Sequence, residues 1–76
     1  MTVKIYSTPT CSYCMAAKKY LVSKNVKYEE LDVSKDKEAA SEMIRKSGQR
    51  GVPVLDINGT IIVGFDQKAI EKLLST

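Results

Sequence analysis

At the start of the chain Val3 and Ile5 alternate with polar neighbours through Tyr6, the two-residue period of a strand. The polar, proline-containing run Ser7-Thr8-Pro9-Thr10 ends it. From Cys11 onward the period lengthens. Cys14, Ala17, Leu21 and Val22 recur at helical spacing, Lys18, Lys19 and Lys24 are left for solvent, and Asn25 is a stop. A second strand is expected over Val26 to Val33, where Tyr28 and Leu31 are interleaved with Lys27, Glu29 and Glu30. Ser34 is placed to cap a second helix, with Asp36 and Glu38 in its first turn, where negative charge suits the helix dipole. That helix carries Ala39, Ala40, Met43 and Ile44 inward and closes on Arg45, Lys46 and Gly48.

The next stretch reads as two strand-like runs, Val52 to Ile57 and Thr60 to Val63, separated by Asn58-Gly59. Asn-Gly in that setting is a strong hairpin signal, because both central turn positions take positive φ. Gly64 ends the hairpin, Asp66 is a candidate N-cap, and Ala69, Ile70, Leu73 and Leu74 form the apolar face of a last helix. The order β-α-β-α-β-β-α predicts an α/β fold: a right-handed βαβ crossover plus a hairpin, giving a four-stranded mixed sheet with three helices on its faces. With 76 residues and no internal repeat, the chain is expected to be one domain over residues 1–76.

Composition removes several classes of function. A net charge of +3 is mild, and the lysines are spread along the chain without interleaved aromatics, so a nucleic-acid role has little support. No apolar run approaches membrane-spanning length, and residues 1–6 alternate rather than forming a secretory h-region. The expectation is a cytoplasmic protein, monomeric for want of an apolar face that demands a partner.

The chemistry is concentrated in Cys11-Ser12-Tyr13-Cys14, which holds both cysteines of the chain where a strand hands over to a helix. In a reducing compartment such a pair is catalytic or metal-binding rather than structural. A free cysteine, with pKa near ~8.5, is mostly protonated at neutral pH. Cys11 is expected to be held as thiolate by unpaired backbone amides and the positive helix end, since the chain has no histidine to act as base. Cys14, three residues on, lies on the same face, points toward the sheet, and can resolve a bond made at Cys11. Tetrahedral zinc generally wants four protein ligands, more than one chain offers here, so no metal is expected.

A strand, then Thr-Cys-Ser-Tyr-Cys opening a helix, then Gly51-Val52-Pro53 after the second helix, then a hairpin and Gly64-Phe65-Asp66, together resemble glutaredoxin over essentially the whole chain. The resemblance implies a thioredoxin-like fold and thiol-disulfide exchange. By position, Pro53 matches the proline that this fold holds in the cis form beside the dithiol, an uncommon state that tertiary context must lock. It would present the backbone N–H and C=O of Val52 to an extended peptide such as glutathione. The implied substrates are disulfide-bearing or glutathionylated proteins. Glutathione is the implied reductant and co-substrate, and no cofactor is tightly bound. Redoxins that resemble glutaredoxin but take electrons from thioredoxin reductase are an alternative. So is an iron-sulfur cluster carried by a glutathione-supported dimer, or a redox-sensing adaptor that uses the disulfide only to change its surface. The arsenate-reductase-like group fits poorly, because its larger helical insertion is missing.

Departures from the family pattern fall around the glutathione site. Ser12 replaces the common proline, and Thr8 stands where many members have a lysine that meets the glycine carboxylate of glutathione. Arg50 could supply that charge from the other side. Gly64-Phe65-Asp66-Gln67 replaces the run whose amides and acidic side chain hold the γ-glutamyl end, and of these Gly64 and Asp66 carry over. Tyr13, exposed between the cysteines, is a candidate wall of the substrate groove, the alternative being an unpartnered surface tyrosine. For Phe65 packing into the domain edge is the favoured reading, and for Asp66 helix capping comes before any glutathione contact.

Overall fold

The computed structural model describes residues 2–75. Its elements are β1 (Val3–Ser7), α1 (Ser12–Ser23), β2 (Glu29–Asp32), α2 (Lys37–Ser47), β3 (Val54–Ile57), β4 (Thr60–Val63) and α3 (Gln67–Leu74). They form the expected four-stranded mixed sheet, in the order β2-β1-β3-β4. β1 runs parallel to β2 and antiparallel to β3, and β4 closes the hairpin on β3.

Strand alternation divides the core in two. Val3 and Ile5 of β1, with Leu55 and Ile57 of β3, pack on one face against Ala17 and Leu21 of α1 and Ile70 of α3. Tyr6 and Val54 point to the other face, where Ala39 and Met43 of α2 cover them. The dithiol sits at the C-terminal end of β1, where the chain turns from the sheet into α1.

The turn residues behave as their chemistry requires. Asn58 and Gly59 take φ of 53° and 96°, so the hairpin is the tight form with two left-handed positions. Asn25, at φ 58°, ends α1 in the left-handed region, and the Val26 amide folds back to the Leu21 carbonyl at 3.0 Å.

Several local expectations need correction. The second helix is capped by Asp36, whose carboxylate accepts from the Ala39 amide at 3.1 Å, and not by Ser34. Ser34 instead donates its amide and hydroxyl to Asp32 in a local turn. β2 is only Glu29–Asp32, shorter than Val26 to Val33, because it is an edge strand with β1 as its single partner. Val22 and Ile44 are 61% and 39% exposed, so neither belongs to the buried stripe of its helix. Ala40 is half-buried.

Candidate active site

Cys11 is the N-cap of α1, with extended backbone angles (φ −90°, ψ 114°) that turn its side chain back over the first helical turn. Its Sγ accepts the amide hydrogen of Cys14 at 3.1 Å, one of the donors that a helix start leaves unpaired. No acidic residue lies in that turn to oppose negative charge at the sulfur. The Cys11 amide is tied to the Thr8 carbonyl at 3.3 Å, which fixes the loop that carries it.

The two thiols differ in kind. Cys11 is half-buried, whereas Cys14 is fully enclosed on the buried face of α1. Burial is the main reason the Cys14 thiol is pushed up to about 11, with its contact to Cys11 adding to the rise and the Thr8 backbone and Lys18 opposing it. Both are free thiols with nothing bridging them.

The Val52-Pro53 bond is cis, as the resemblance implied. Pro53 is buried, and its carbonyl accepts the Gly64 amide at 2.8 Å, which joins the proline loop to the end of β4. The Val52 carbonyl oxygen lies 3.9 Å from Cys11 Sγ. The Val52 amide has no hydrogen-bond partner among the described residues, so it is open to an extended chain laid beside Cys11.

The other expected site residues are placed unevenly. Tyr13 is 70% exposed and has no hydrogen-bond partner among the described residues. Arg50 lies exposed in the loop before Val52, with no hydrogen-bond or ion-pair partner among the described residues. Gly64 has φ 81°, a conformation that L side chains rarely adopt. Phe65 turns its ring to Tyr20, with centroids 6.0 Å apart and planes tilted by 60°, and packs on the edge of the core. Asp66 caps α3 by accepting from the Ala69 amide at 3.2 Å.

Two contributors were not visible in the sequence. Gln49 brackets the proline loop, accepting from the Gly51 amide at 2.6 Å and donating to the Gly51 carbonyl at 3.0 Å. On β2, Glu30 Oε2 receives both the buried Ser7 hydroxyl at 3.0 Å and the Lys18 ammonium at 2.9 Å. Lys18 is therefore a paired residue and not one of the simply solvated lysines. Lys24 likewise has a partner: its ammonium lies 5.6 Å from the centre of the Tyr20 ring.

An exposed-edged thiol at a helix start, a buried second thiol one turn on, and an open backbone amide alongside can together exchange disulfides with an extended substrate. The glutaredoxin family model matches residues 3–62. A glutaredoxin-like 8.6 kDa protein from the rubredoxin operon of Clostridium pasteurianum is 49% identical over 72 residues, covering 95% of this chain and 96% of that protein. Glutaredoxin 3 of Escherichia coli K12 is 41% identical over 64 residues, covering 84% of this chain and 77% of its own. The solved structure of NrdH-redoxin from Escherichia coli, a glutaredoxin-like protein with a thioredoxin-like activity profile, superposes with a TM-score of 0.84. It is 29% identical and covers 96% of this chain and 95% of its own. Among the described residues no helix is long and apolar enough to cross a membrane.

Proposed function

This chain belongs to the glutaredoxin family, and on that premise we propose that it is a cytoplasmic dithiol oxidoreductase reducing protein disulfides and glutathione mixed disulfides. Glutathione is its co-substrate, and no cofactor is tightly bound. The observation that carries this reading is the division of labour between the thiols: Cys11 is reachable and takes an amide hydrogen bond, while Cys14 is enclosed and kept protonated by burial.

In the first step the Cys11 thiolate attacks one sulfur of the substrate. A bond forms between Cys11 Sγ and that sulfur, the substrate disulfide breaks, and the departing sulfur leaves with its electron pair and takes a proton. The substrate backbone pairs with Val52, which sets the attacked sulfur against Cys11. For a protein disulfide, Cys14 then loses its proton and attacks Cys11 Sγ, so the protein is left oxidised and the substrate leaves as a dithiol. Two glutathione molecules return the oxidised pair to dithiol and leave as glutathione disulfide. For a glutathionylated substrate, a second glutathione attacks the Cys11 mixed disulfide directly. Arg50, exposed two residues before Val52, is the group suited to a carboxylate end of glutathione.

A second reading has its own support. The likeness to NrdH-redoxin, with its thioredoxin-like activity profile, favours thioredoxin reductase as the electron donor. NADPH-coupled turnover of a glutathionylated peptide and of a protein disulfide separates the two. Turnover with glutathione and glutathione reductase supports the first. Turnover with thioredoxin reductase alone retires Arg50 as a glutathione contact while keeping both cysteines. The absence of turnover with either donor overturns the assignment.

A further inference from the structure

The resolving step raises a difficulty that the two cysteines do not solve by themselves. Cys14 has to release a proton and attack while enclosed in the core, where a bare sulfur anion is costly. Lys18 lies one helical turn beyond it on α1, at the spacing that brings side chains onto one face. A free lysine there would swing into water. Here Lys18 is pinned by Glu30 Oε2 of β2 at 2.9 Å, and that same oxygen receives the hydroxyl of Ser7, a residue with no exposed surface.

The anchoring follows from strand register. Ile5 sits opposite Glu30 in the parallel pair, and Ser7 shares the Ile5 face of β1, so Ser7 and Glu30 are diagonal neighbours beneath α1. Ser7 is also the last residue of β1, at the sheet end that leads into the cysteine loop. The pair opens outward into a surface hollow of about 350 Å³, which Met15, Val22 and Tyr28 help to line.

We propose that Lys18, held by Glu30 and through it by the Ser7 hydroxyl, is a positioning residue for the resolving step, keeping an ammonium one turn behind Cys14 as its proton leaves. This rests on the dithiol mechanism proposed above. As Cys14 attacks, the Cys11 bond to the substrate sulfur breaks, the bond between the two cysteines forms, and the departing thiolate takes up the proton that Cys14 lost. Lys18 neither forms nor breaks a bond. The titratable groups around Cys14 are Cys11 and Lys18 on α1, with Glu30, Asp32 and Tyr28 acting on it through that pair from β2 and its approach. β1 and its loop contribute the Ser7 hydroxyl and the Thr8 backbone.

Closure can be followed alone by mixing reduced protein with one equivalent of the aromatic disulfide dithionitrobenzoate. One coloured thiolate is released as Cys11 is loaded and a second as Cys14 displaces the group left on Cys11. Losing the ammonium raises the Cys14 thiol further, and the thiolate fraction lost at neutral pH outweighs the nucleophilicity that the more basic thiolate gains. Lys18→Met is therefore expected to slow the second release at neutral pH and to move the rising limb of its pH profile to higher pH. Its first release is unaltered. Lys18→Arg, which keeps the charge and the bond to Glu30, restores the wild-type profile, and Lys19→Met leaves it in place. A Lys18→Met profile that overlays wild type, or a Lys18→Arg protein as slow as Lys18→Met, overturns the inference and leaves the dithiol mechanism standing. Failure of the wild type to give any second release overturns the dithiol mechanism itself.

Discussion

Cys11 Sγ and the carbonyl oxygen of Val52 lie 3.9 Å apart, although 41 residues of chain separate them. The first sits on a helix start and the second on the loop leading into β3, and the sheet holds both ends fixed. A substrate that pairs with Val52 is thus delivered to one sulfur and not the other.

That asymmetry predicts the behaviour of the two serine variants. Cys11→Ser removes the attacking sulfur and should abolish turnover of every disulfide. Cys14→Ser should still turn over a glutathionylated peptide, because glutathione can finish the cycle, but should stall on protein disulfides as a trapped mixed disulfide. Mass spectrometry of that variant after exposure to a protein disulfide checks for the adduct. If Cys14→Ser reduces protein disulfides as fast as wild type, the dithiol route is wrong.

Alkylation should follow the same order. Cys14 is enclosed and burial pushes its thiol up to about 11, so it is both unreachable and protonated at neutral pH. With limiting iodoacetamide the label is expected on Cys11 alone, as read by peptide mapping. Label on Cys14 should appear only as pH climbs toward that value, and equal labelling at neutral pH would contradict the burial of Cys14.

Much of this was legible in the chain because it depends on neighbours in sequence. The dithiol at a strand-helix junction, the Asn58-Gly59 turn and the Asp66 cap each follow from a few consecutive residues. What the sequence hid depends on strand register and on distant pairs. Glu30 is the exposed edge-strand acid the sequence suggested, but only the parallel pairing with β1 puts it on the α1 face within reach of Ser7 and Lys18. Ser34 and Asp36 are both good caps two residues apart, and their choice is settled by where β2 ends and α2 begins. Gln49 was overlooked because a glutamine in a loop carries no pattern, yet its amide group spans Gly51 in both directions.

Asp66 offers a way to separate capping from substrate binding. Asp66→Ala loses the oxygen that accepts the Ala69 amide and should destabilise the protein by about 1 kcal/mol in denaturant unfolding. Asp66→Ser keeps a capping oxygen and should restore most of that stability. If the carboxylate also meets the γ-glutamyl end of glutathione, both variants raise the KM for glutathione. A serine variant with wild-type KM would limit Asp66 to its structural part.

The hairpin makes a prediction about stability without chemistry. Gly59 has φ 96°, and nothing lies within 4 Å of where a Cβ would stand. The cost of Gly59→Ala is therefore backbone strain alone, of about 1–2 kcal/mol. For a domain this size that lowers Tm by roughly 4 °C or more. Activity below the transition should be unchanged, since the turn is at the far end of β3 from Pro53.

On the α2 side of the sheet, Lys46 joins three partners: Asp56 at 2.8 Å, Glu42 at 3.1 Å and the Tyr6 hydroxyl at 3.2 Å, while that hydroxyl donates to Glu42. The bond to Lys46 holds the Asp56 carboxyl below its usual range, and the Tyr6 hydroxyl and Lys46 do the same for Glu42. Groups depressed on folding contribute stability that is complete above the unfolded carboxylate pKa of ~4 and is lost as pH falls through the folded values. Tyr6 is raised, chiefly by burial, and Lys46 is raised by its bond to Asp56. Their contribution is complete below the unfolded pKa values of ~10 and is lost as pH rises through the folded ones. The urea midpoint should therefore be flat between about pH 5 and pH 9 and fall on both sides. Asp56→Asn takes away one of the carboxylates that the acid limb depends on. Its midpoint should be lower at neutral pH by the equivalent of about 1 kcal/mol or less, since the pair is partly solvated, and should decline less steeply below pH ~4. An acid limb of Asp56→Asn as steep as that of wild type would mean that other carboxylates set it, leaving the Lys46 cluster without the linkage its geometry implies.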